Sequence, residues 1–138
     1  MTRSVLFVCV GNAGRSLMAE AIFNARAPPG WVGVSAGTRP ARAANLRTGP
    51  MLRELGLDLP GHAPRALSDE MIERASVRVT MGCLDDASCP VNLSSRPLVD
   101  WGLADPANLD DDGFRGVRDE ISRRVDDLIA HLPQEPPG

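Results

Sequence analysis

A short apolar run that leads into a cysteine and a glycine-containing loop constrains the fold of this chain more than any other feature. Residues 5–8 read Val-Leu-Phe-Val, a continuous apolar stretch of strand length, as expected for a strand buried on both faces of a parallel sheet. Cys9 ends the run, and residues 11–14 interrupt it. Apolar residues then recur at helical spacing over residues 17–25. The pattern predicts a strand, a loop and a helix that begins near Arg15.

The rest of the chain repeats this alternation of strands and helices. Further strands are predicted at residues 32–37, 77–81 and 98–101, and further helices over residues 44–55, from residue 69 and over residues 114–129. Such alternation predicts an α/β fold with a parallel sheet and right-handed crossovers, in one domain over residues 1–132 with a frayed tail at 133–138. Because ligands of such sheets bind beyond the carboxyl ends of the strands, we expect the functional residues on one sheet edge.

Composition and charge exclude several classes of function. The chain has 138 residues, of which 43% are hydrophobic, so it can form one domain with a core of its own. A net charge of -3 argues against a general nucleic-acid or membrane-surface binder. The N-terminal apolar run is too short for a signal peptide, and no stretch approaches the length that spans a bilayer. We therefore expect a cytoplasmic monomer, in which a structural disulfide is not favoured.

The loop after the first predicted strand has the composition of an oxyanion-binding site. Its backbone N–H groups can converge on an anion, and the helix N-terminus adds a partial positive charge. Arg15 offers a planar fork of donors for two oxygens of a tetrahedral anion. The same positive field favours the thiolate of Cys9, to which Ser16 can donate a hydrogen bond. We predict Cys9 as a nucleophile; the alternative is a small apolar residue that only ends a buried strand. The predicted loop residues are Val10, Gly11, Asn12, Ala13 and Gly14.

Residues 9–16 resemble the phosphate-binding loop of low-molecular-weight protein tyrosine phosphatases and of the arsenate reductases built on the same fold. The sequence Arg-Ser-Leu-Met-Ala-Glu at residues 15–20 and the sequence Ser-Ala-Gly-Thr at residues 35–38 are also similar to that superfamily. The resemblance extends over residues 5–132, and it implies a four-stranded parallel sheet with helices on both faces. It also implies that Asn12 and Ser35 brace the loop by hydrogen bonds.

The other two cysteines favour one branch of this superfamily. Residues 79–90, Val-Thr-Met-Gly-Cys-Leu-Asp-Asp-Ala-Ser-Cys-Pro, resemble the arsenate reductase segment that carries a resolving cysteine pair. Reduction of arsenate needs two electrons, which thiols supply when they form a disulfide. The resemblance implies that Cys9 attacks arsenate, that Cys83 attacks Cys9 and releases arsenite, and that Cys89 then attacks Cys83. Thioredoxin or another redoxin or thiol would reduce the final disulfide.

Two other interpretations of this cysteine pair remain open. The two thiols could be incidental, or they could bind a metal. Zinc sites usually have more closely spaced pairs and more Cys and His partners, whereas this chain has three cysteines and two histidines. We therefore predict no metal and no cofactor.

An Asp-Pro dipeptide provides a candidate general acid. Asp105 and Pro106 follow Trp-Gly-Leu-Ala at residues 101–104, which is similar to the family's Trp-Gly…Asp-Pro element, whose Asp protonates the leaving oxygen. Pro106 restricts the backbone beside the carboxyl group. Without the resemblance, an exposed Asp-Pro turn would be the better interpretation. Phosphatases of the family typically have a Tyr after this Pro, whereas Ala107 follows here and the chain contains no Tyr, which disfavours phosphotyrosine as the substrate.

The chain departs from the arsenate reductase pattern at the loop and at the cysteine pair. Ala13 and Gly14 stand where those enzymes usually have Ser and Cys. The segment between the resolving cysteines, residues 84–88, is one residue shorter than is common in thioredoxin-coupled relatives. These differences bear on anion affinity and on the choice of reductant.

A potassium site of some arsenate reductases is only partly matched. Asn12, Glu20 and Ser35 match residues that bind the cation in those relatives, but Arg65 stands where an acidic residue completes the site. We therefore do not predict a bound cation.

The sequence thus predicts an arsenate reductase that uses Cys9, Cys83 and Cys89 in series, with Arg15, Ser16 and Asp105 in catalysis. The first alternative is a phosphatase that acts on phosphotyrosine or a small phosphoester. It would share the nucleophile, the arginine and the acid, and it would leave the other two cysteines idle. The second alternative is a non-catalytic oxyanion-binding or redox-sensing protein that has kept the loop.

Overall fold

A four-stranded parallel sheet lies at the centre of the computed structural model, which describes residues 2–82 and 98–132. In this part of the chain the strand order is β2-β1-β3-β4, and all pairs are parallel. The strands are β1 (Arg3–Cys9), β2 (Trp31–Gly37), β3 (Val77–Thr80) and β4 (Leu98–Asp100). The helices are α1 (Arg15–Arg26), α2 (Thr48–Arg53), α3 (Asp69–Arg74), α4 (Asp111–His131) and a short 3-10 helix (Pro106–Asn108). The predicted α/β fold is confirmed, while the predicted tail at 133–138 lies outside the described residues.

The strand β1 is buried on both faces because its alternate side chains enter two separate apolar clusters. Val5 and Phe7 pack in the larger cluster with side chains of α1 and α4. Leu6 and Val8 point the other way and pack in a smaller cluster with Ile72 of α3. This two-sided burial explains why the first strand reads as a continuous apolar run rather than an alternating one.

The long C-terminal helix α4 presents the apolar stripe that the sequence predicts. Phe114, Ile121 and Val125 lie on one side of the helix and are fully buried in the larger apolar cluster. Asp110 caps the helix, because its Oδ1 accepts a hydrogen bond of 2.8 Å from the N–H of Gly113. The acidic residues that begin there stabilise the helix, because their negative charge lies at the positive N-terminal end of the helix dipole.

The helix predicted over residues 44–55 is shorter in the structure, where α2 spans only Thr48–Arg53. The N–H of Asn45 donates to the carbonyl of Ala13 at 2.9 Å, and its side chain accepts from the N–H of Arg47 at 2.9 Å. The first of these bonds supports the loop after β1, and the second forms a turn that precedes the helix. Gly56, with φ at 77°, lies in the turn that follows the helix.

The carboxyl ends of the strands converge closely enough that one position must be glycine. Gly37, the last residue of β2, pairs in register with Cys9 at the end of β1. A Cβ atom at Gly37 would lie 2.6 Å from the carbonyl oxygen of Val10 and 3.0 Å from the nitrogen of Asn12. The loop after β1 therefore crosses directly over Gly37. Among the described residues, none of the helices has the length and apolar character needed to cross a membrane.

Candidate active site

The loop between β1 and α1 is held from outside through its carbonyl groups. A trans peptide directs its N–H away from its C=O, so a carbonyl bonded outward turns the next N–H inward. The structure shows this at Asn12, whose N–H points to the Cys9 sulfur at 3.2 Å. The loop N–H groups can therefore converge on an anion. The outward bonds, 2.8 to 3.1 Å long, run from the N–H groups of Thr38, Arg39, Ala41 and Asn45 to the carbonyls of Cys9, Val10, Gly11 and Ala13 respectively.

The thiol of Cys9 is buried at the base of this loop, with 2% of the residue exposed. Its Sγ atom lies 2.9 Å from the hydroxyl oxygen of Ser16 in the first turn of α1. The N–H of Asn12 donates to the same sulfur. The structure thus brings Cys9 and Ser16 together, as the sequence predicts for a nucleophile and its modulator.

A cavity of about 200 Å³ opens above the loop and contains the three residues predicted to act on the anion, Cys9, Arg15 and Asp105. In the described part of the chain the aromatic side chain on this wall is Phe114, which is fully buried. Small residues form much of the remaining wall, namely Gly11, Ala13, Gly14, Ala41 and Ala107.

The guanidinium group of Arg15 is fixed by the ends of two other strands. Its Nη1 atom donates to the carbonyl of Met81 at 2.7 Å and to the carbonyl of Leu103 at 2.8 Å. These two carbonyls follow β3 and β4, so the orientation of Arg15 depends on the whole sheet edge. Because the guanidinium is planar, two bonds at one nitrogen also orient the N–H groups on Nε and Nη2.

Asp105 combines a turn-capping role with a position on the cavity wall. Its Oδ1 accepts a hydrogen bond of 3.0 Å from the N–H of Ala107, which caps the 3-10 helix. Pro106 is buried, and its Cγ atom would lie 3.8 Å from a Cβ atom at Gly14. The exposed-turn interpretation and the active-site interpretation of the Asp-Pro element are thus both compatible with this geometry.

A buried hydrogen-bond chain supports the loop from behind. Asn12 has φ at 50°, a left-handed conformation that Asn tolerates better than most residues. Its Nδ2 donates to Ser16 Oγ at 2.6 Å and to Ser35 Oγ at 3.0 Å. Ser35 in turn donates to Glu20 Oε1 at 2.6 Å. The structure therefore places Asn12 and Ser35 in the bracing positions that the resemblance implies.

Two basic side chains complete this hydrogen-bond chain. The resemblance already aligns Arg65 with a potassium site of relatives, whereas no local sequence pattern indicates His62. His62 places Nε2 at 2.9 and 3.1 Å from the two carboxylate oxygens of Glu20. Arg65 donates from Nε to the carbonyl of Ser35 at 2.9 Å, and its backbone N–H donates to the side-chain oxygen of Asn12 at 3.1 Å. Both residues come from the segment between α2 and α3, and only the tertiary contact shows that they bind Glu20, Ser35 and Asn12.

Asp100, at the end of β4, is a second residue that the sequence does not indicate. Its Oδ1 accepts hydrogen bonds from the Thr80 hydroxyl and the Gly82 N–H, both at 2.8 Å, and from the Gly102 N–H at 3.3 Å. One carboxylate oxygen thus joins the ends of β3 and β4. Cys83 directly follows this junction, but the predicted resolving residues Cys83 and Cys89 lie outside the described residues.

A charged cluster joins α2 to α4 behind the site. Glu54, which follows α2, bonds Arg115 at 2.9 Å and Arg118 at 2.6 Å. Hydrogen bonds from Arg115 and then Arg118 lower the pKa of Glu54 from its usual 4.5 to about 2. Glu54 is therefore ionised throughout the physiological pH range.

Comparisons with known proteins agree with this site. A family model described as low molecular weight phosphotyrosine protein phosphatase matches residues 4–137. Arsenate reductase 1 of Staphylococcus epidermidis is 30% identical over 94% of this chain and 96% of that protein. An arsenate reductase structure from Archaeoglobus fulgidus is 34% identical, with a TM-score of 0.77 over 92% of this chain and 99% of that one. A thioredoxin-dependent arsenate reductase from Corynebacterium glutamicum is 31% identical, with a TM-score of 0.76 over 92% of this chain and 60% of that one. On the strength of the family match and of these similarities, the chain belongs to the low molecular weight phosphotyrosine protein phosphatase family.

Proposed function

We propose that the protein reduces arsenate to arsenite through a cysteine nucleophile and a disulfide relay. The Cys9 thiolate attacks arsenic(V), and one oxygen leaves as water with a proton from Asp105. The Cys83 thiolate then attacks Cys9 Sγ. The sulfur–arsenic bond breaks, its electron pair stays on arsenic, and arsenite leaves as arsenic(III). Cys89 displaces Cys9 from the resulting disulfide, so that an external thiol reductant finally reduces the Cys83–Cys89 bond.

One observation carries the first half of this proposal. Cys9 lies at the base of the proposed anion-binding loop, where its sulfur forms hydrogen bonds with the Ser16 hydroxyl and the Asn12 N–H. Arg15 and Asp105 line the same cavity. This arrangement supplies a nucleophile, a charge clamp and a proton donor for a tetrahedral oxyanion.

The second half, reduction rather than hydrolysis, rests on two further cysteines and on the relatives. A phosphatase has no need for Cys83 or Cys89, whereas a two-electron reduction needs a second thiol beside Cys9, which either residue can supply. The named relatives at about 30% identity, matched over nearly their whole length, are arsenate reductases. The absence of Tyr from the sequence also favours a small oxyanion over phosphotyrosine.

The reductant is a further part of the proposal. The relative from Corynebacterium glutamicum is thioredoxin-dependent, which supports thioredoxin or a related redoxin or thiol as the partner here. A relay of this kind needs a reducing compartment, so we assign the reaction to the cytoplasm. We also propose that the protein acts as a monomer.

Cysteine variants test the proposal. Wild type, Cys83→Ser and Cys89→Ser are assayed for arsenate-dependent oxidation of reductant and for hydrolysis of an aryl phosphate. We expect both substitutions to abolish arsenate turnover, because each removes one thiol of the relay. Hydrolysis of the aryl phosphate, where the wild type shows it, should survive in both variants.

The control is Cys9→Ser, which should lose both activities because they share the nucleophile. Wild-type protein that hydrolyses phosphotyrosine efficiently and ignores arsenate would contradict the proposal. Anion binding without turnover of either substrate would instead support the oxyanion sensor.

The second candidate function is hydrolysis of a phosphoester. It is favoured by the family model, which is described as a phosphatase, and by a site that already contains the nucleophile, the arginine and the acid. In that reaction Cys9 would form a phosphocysteine, which water hydrolyses.

A further inference from the structure

Arg47 makes several hydrogen bonds to the segment that carries Asp105, residues 105–109, here called the acid-bearing turn. The sequence alone does not predict these bonds. Its Nη1 donates to the carbonyl of Leu109 at 2.7 Å, and its Nη2 donates to the carbonyls of Pro106 and Ala107 at 3.1 and 3.2 Å. A further bond of 3.2 Å reaches Asp111 at the start of α4. The guanidinium group thus links the Asp-Pro element to the start of the last helix.

The plane of this guanidinium is also held by an aromatic ring. The Cζ atom of Arg47 lies 4.8 Å from the ring centroid of Phe114, which lines the active-site cavity. Stacking on a ring and forked donation to several carbonyls both require a planar group, which a Lys side chain does not provide.

The segment that carries Arg47 also supports the oxyanion loop. The N–H of Asn45 and the hydroxyl of Thr48 both donate to the carbonyl of Ala13, at 2.9 and 2.8 Å. Residues 45–48 are therefore bonded to the loop on one side and to the acid-bearing turn on the other. This short segment therefore links the oxyanion loop to the turn that carries Asp105.

We propose that Arg47 is a positioning residue that holds the carboxyl group of Asp105 over the anion bound by the loop. Asp105 directly precedes the carbonyls that Arg47 binds, and its carboxylate is tied to the N–H of Ala107 within the same turn. Fixing these carbonyls therefore fixes the acid. The inference rests on the proposed role of Asp105, which arsenate reduction and phosphoester hydrolysis share.

The test compares Arg47→Lys with a matched control, Arg115→Lys. Arg115 is also an arginine of the α2–α4 junction, but its bonds go to Glu54 and Asp112 and not to the acid-bearing turn. Arsenite release is measured in a single turnover of prereduced protein, so that no external reductant limits the rate. Inorganic phosphate serves as the probe of anion binding.

We expect Arg47→Lys to slow arsenite release by about tenfold or more, which is part of the contribution usual for a general acid. The dissociation constant for phosphate should change by less than about twofold, because the loop keeps its own supports. The control should retain the wild-type rate. Arg47→Gln provides a second variant in case the lysine variant does not fold, as judged by its thermal unfolding.

A double-mutant cycle with Asp105→Asn separates positioning from a general structural effect. If Arg47 acts through Asp105, Arg47→Lys should cause little further loss in the Asp105→Asn background. The inference is overturned by additive losses, by an equal loss in Arg115→Lys, by a parallel loss of phosphate affinity or by an unchanged rate.

If the wild type turns over aryl phosphate but not arsenate, the proposed function fails and the same cycle is measured on aryl phosphate. If it turns over neither, both proposals are overturned.

Discussion

The sulfur of Cys9 is surrounded by neighbours that are both near and far in the chain. Ser16 and Asn12 reach its sulfur from the same loop and helix, so a local pattern of residues is enough to predict them. Ser35 and Glu20 act one step further away and hold Asn12 in its left-handed conformation. A residue such as Gly37 contributes only by having no side chain, because the loop passes directly over it.

Gly37→Ala should therefore damage the loop and the fold together. Its Cβ would lie 2.6 Å from the Val10 carbonyl, so the backbone of one segment must shift. We expect a loss of about 1–3 kcal/mol in the free energy of unfolding, as for other overpacked positions, and weaker phosphate binding. Urea unfolding and a phosphate titration measure the two effects.

The matched control for this prediction is Gly116→Ala in α4. A Cβ there meets nothing within 4 Å. Because Ala favours a helix over Gly, this variant should keep or gain up to about 1 kcal/mol of stability. Equal behaviour of the two alanine variants would contradict the steric argument at Gly37.

The segment around α2 connects three parts of the molecule. Its first residues bind the oxyanion loop and the acid-bearing turn, and Glu54 at its end binds two arginines of α4. The sequence suggests a longer amphipathic helix here because apolar residues recur from residue 44. The actual helix begins only at Thr48, since the N–H of Asn45 donates to the carbonyl of Ala13 and its side chain accepts from the N–H of Arg47. Local periodicity cannot register such competition.

The ion pairs of Glu54 predict a pH dependence of stability. Its pKa is about 2 in the folded protein against a usual 4.5, so the folded state binds fewer protons between these values. The contribution of Glu54 is therefore complete above pH 4.5 and is lost as the pH falls towards 2. Urea unfolding of wild type and Glu54→Gln at about pH 6, 4 and 3 measures this effect. The first value lies above the interval between the two pKa values, and the other two lie inside it.

The variant should be less stable than wild type at neutral pH, and the difference should shrink as the pH falls through this window. The effect should also decrease with added salt, because the pair is partly exposed to solvent. A stability difference that stays constant across the window would contradict the assignment of the pKa shift to this cluster.

The order of the strands assembles the site from segments that are distant in sequence. β1 lies between β2 and β3, so the loop that follows it is next to Gly37 on one side and Met81 on the other. Arg15 is bonded across this edge to carbonyls that follow β3 and β4. The anion site therefore exists only in the folded state, and its ligand should stabilise the whole molecule.

Phosphate should accordingly raise the melting temperature of the wild type. At a phosphate concentration about 100 times its dissociation constant, binding adds about 2.7 kcal/mol to the free energy of unfolding. Arg15→Ala should lose most of this increase, because the clamp on the anion is gone. The control Arg26→Ala lies at the other end of α1, where it bonds Asp126, and should keep the phosphate-dependent shift even if its own melting temperature is lower. Equal shifts in both variants would exclude Arg15 from the anion site.

Local sequence was sufficient for the strand–loop–helix unit at residues 3–26, because burial on both faces of β1 and the helical spacing of α1 each leave a periodic trace within a few residues. It was also sufficient to group Cys9, Arg15 and Ser16 as candidate site residues, since they belong to one continuous segment, residues 9–16. Long-range packing was needed for the bonds of Arg47, His62 and Asp100, and for the necessity of glycine at position 37. Their partners lie many residues away along the chain, and a contact of this kind leaves no periodic signal in the sequence around either residue.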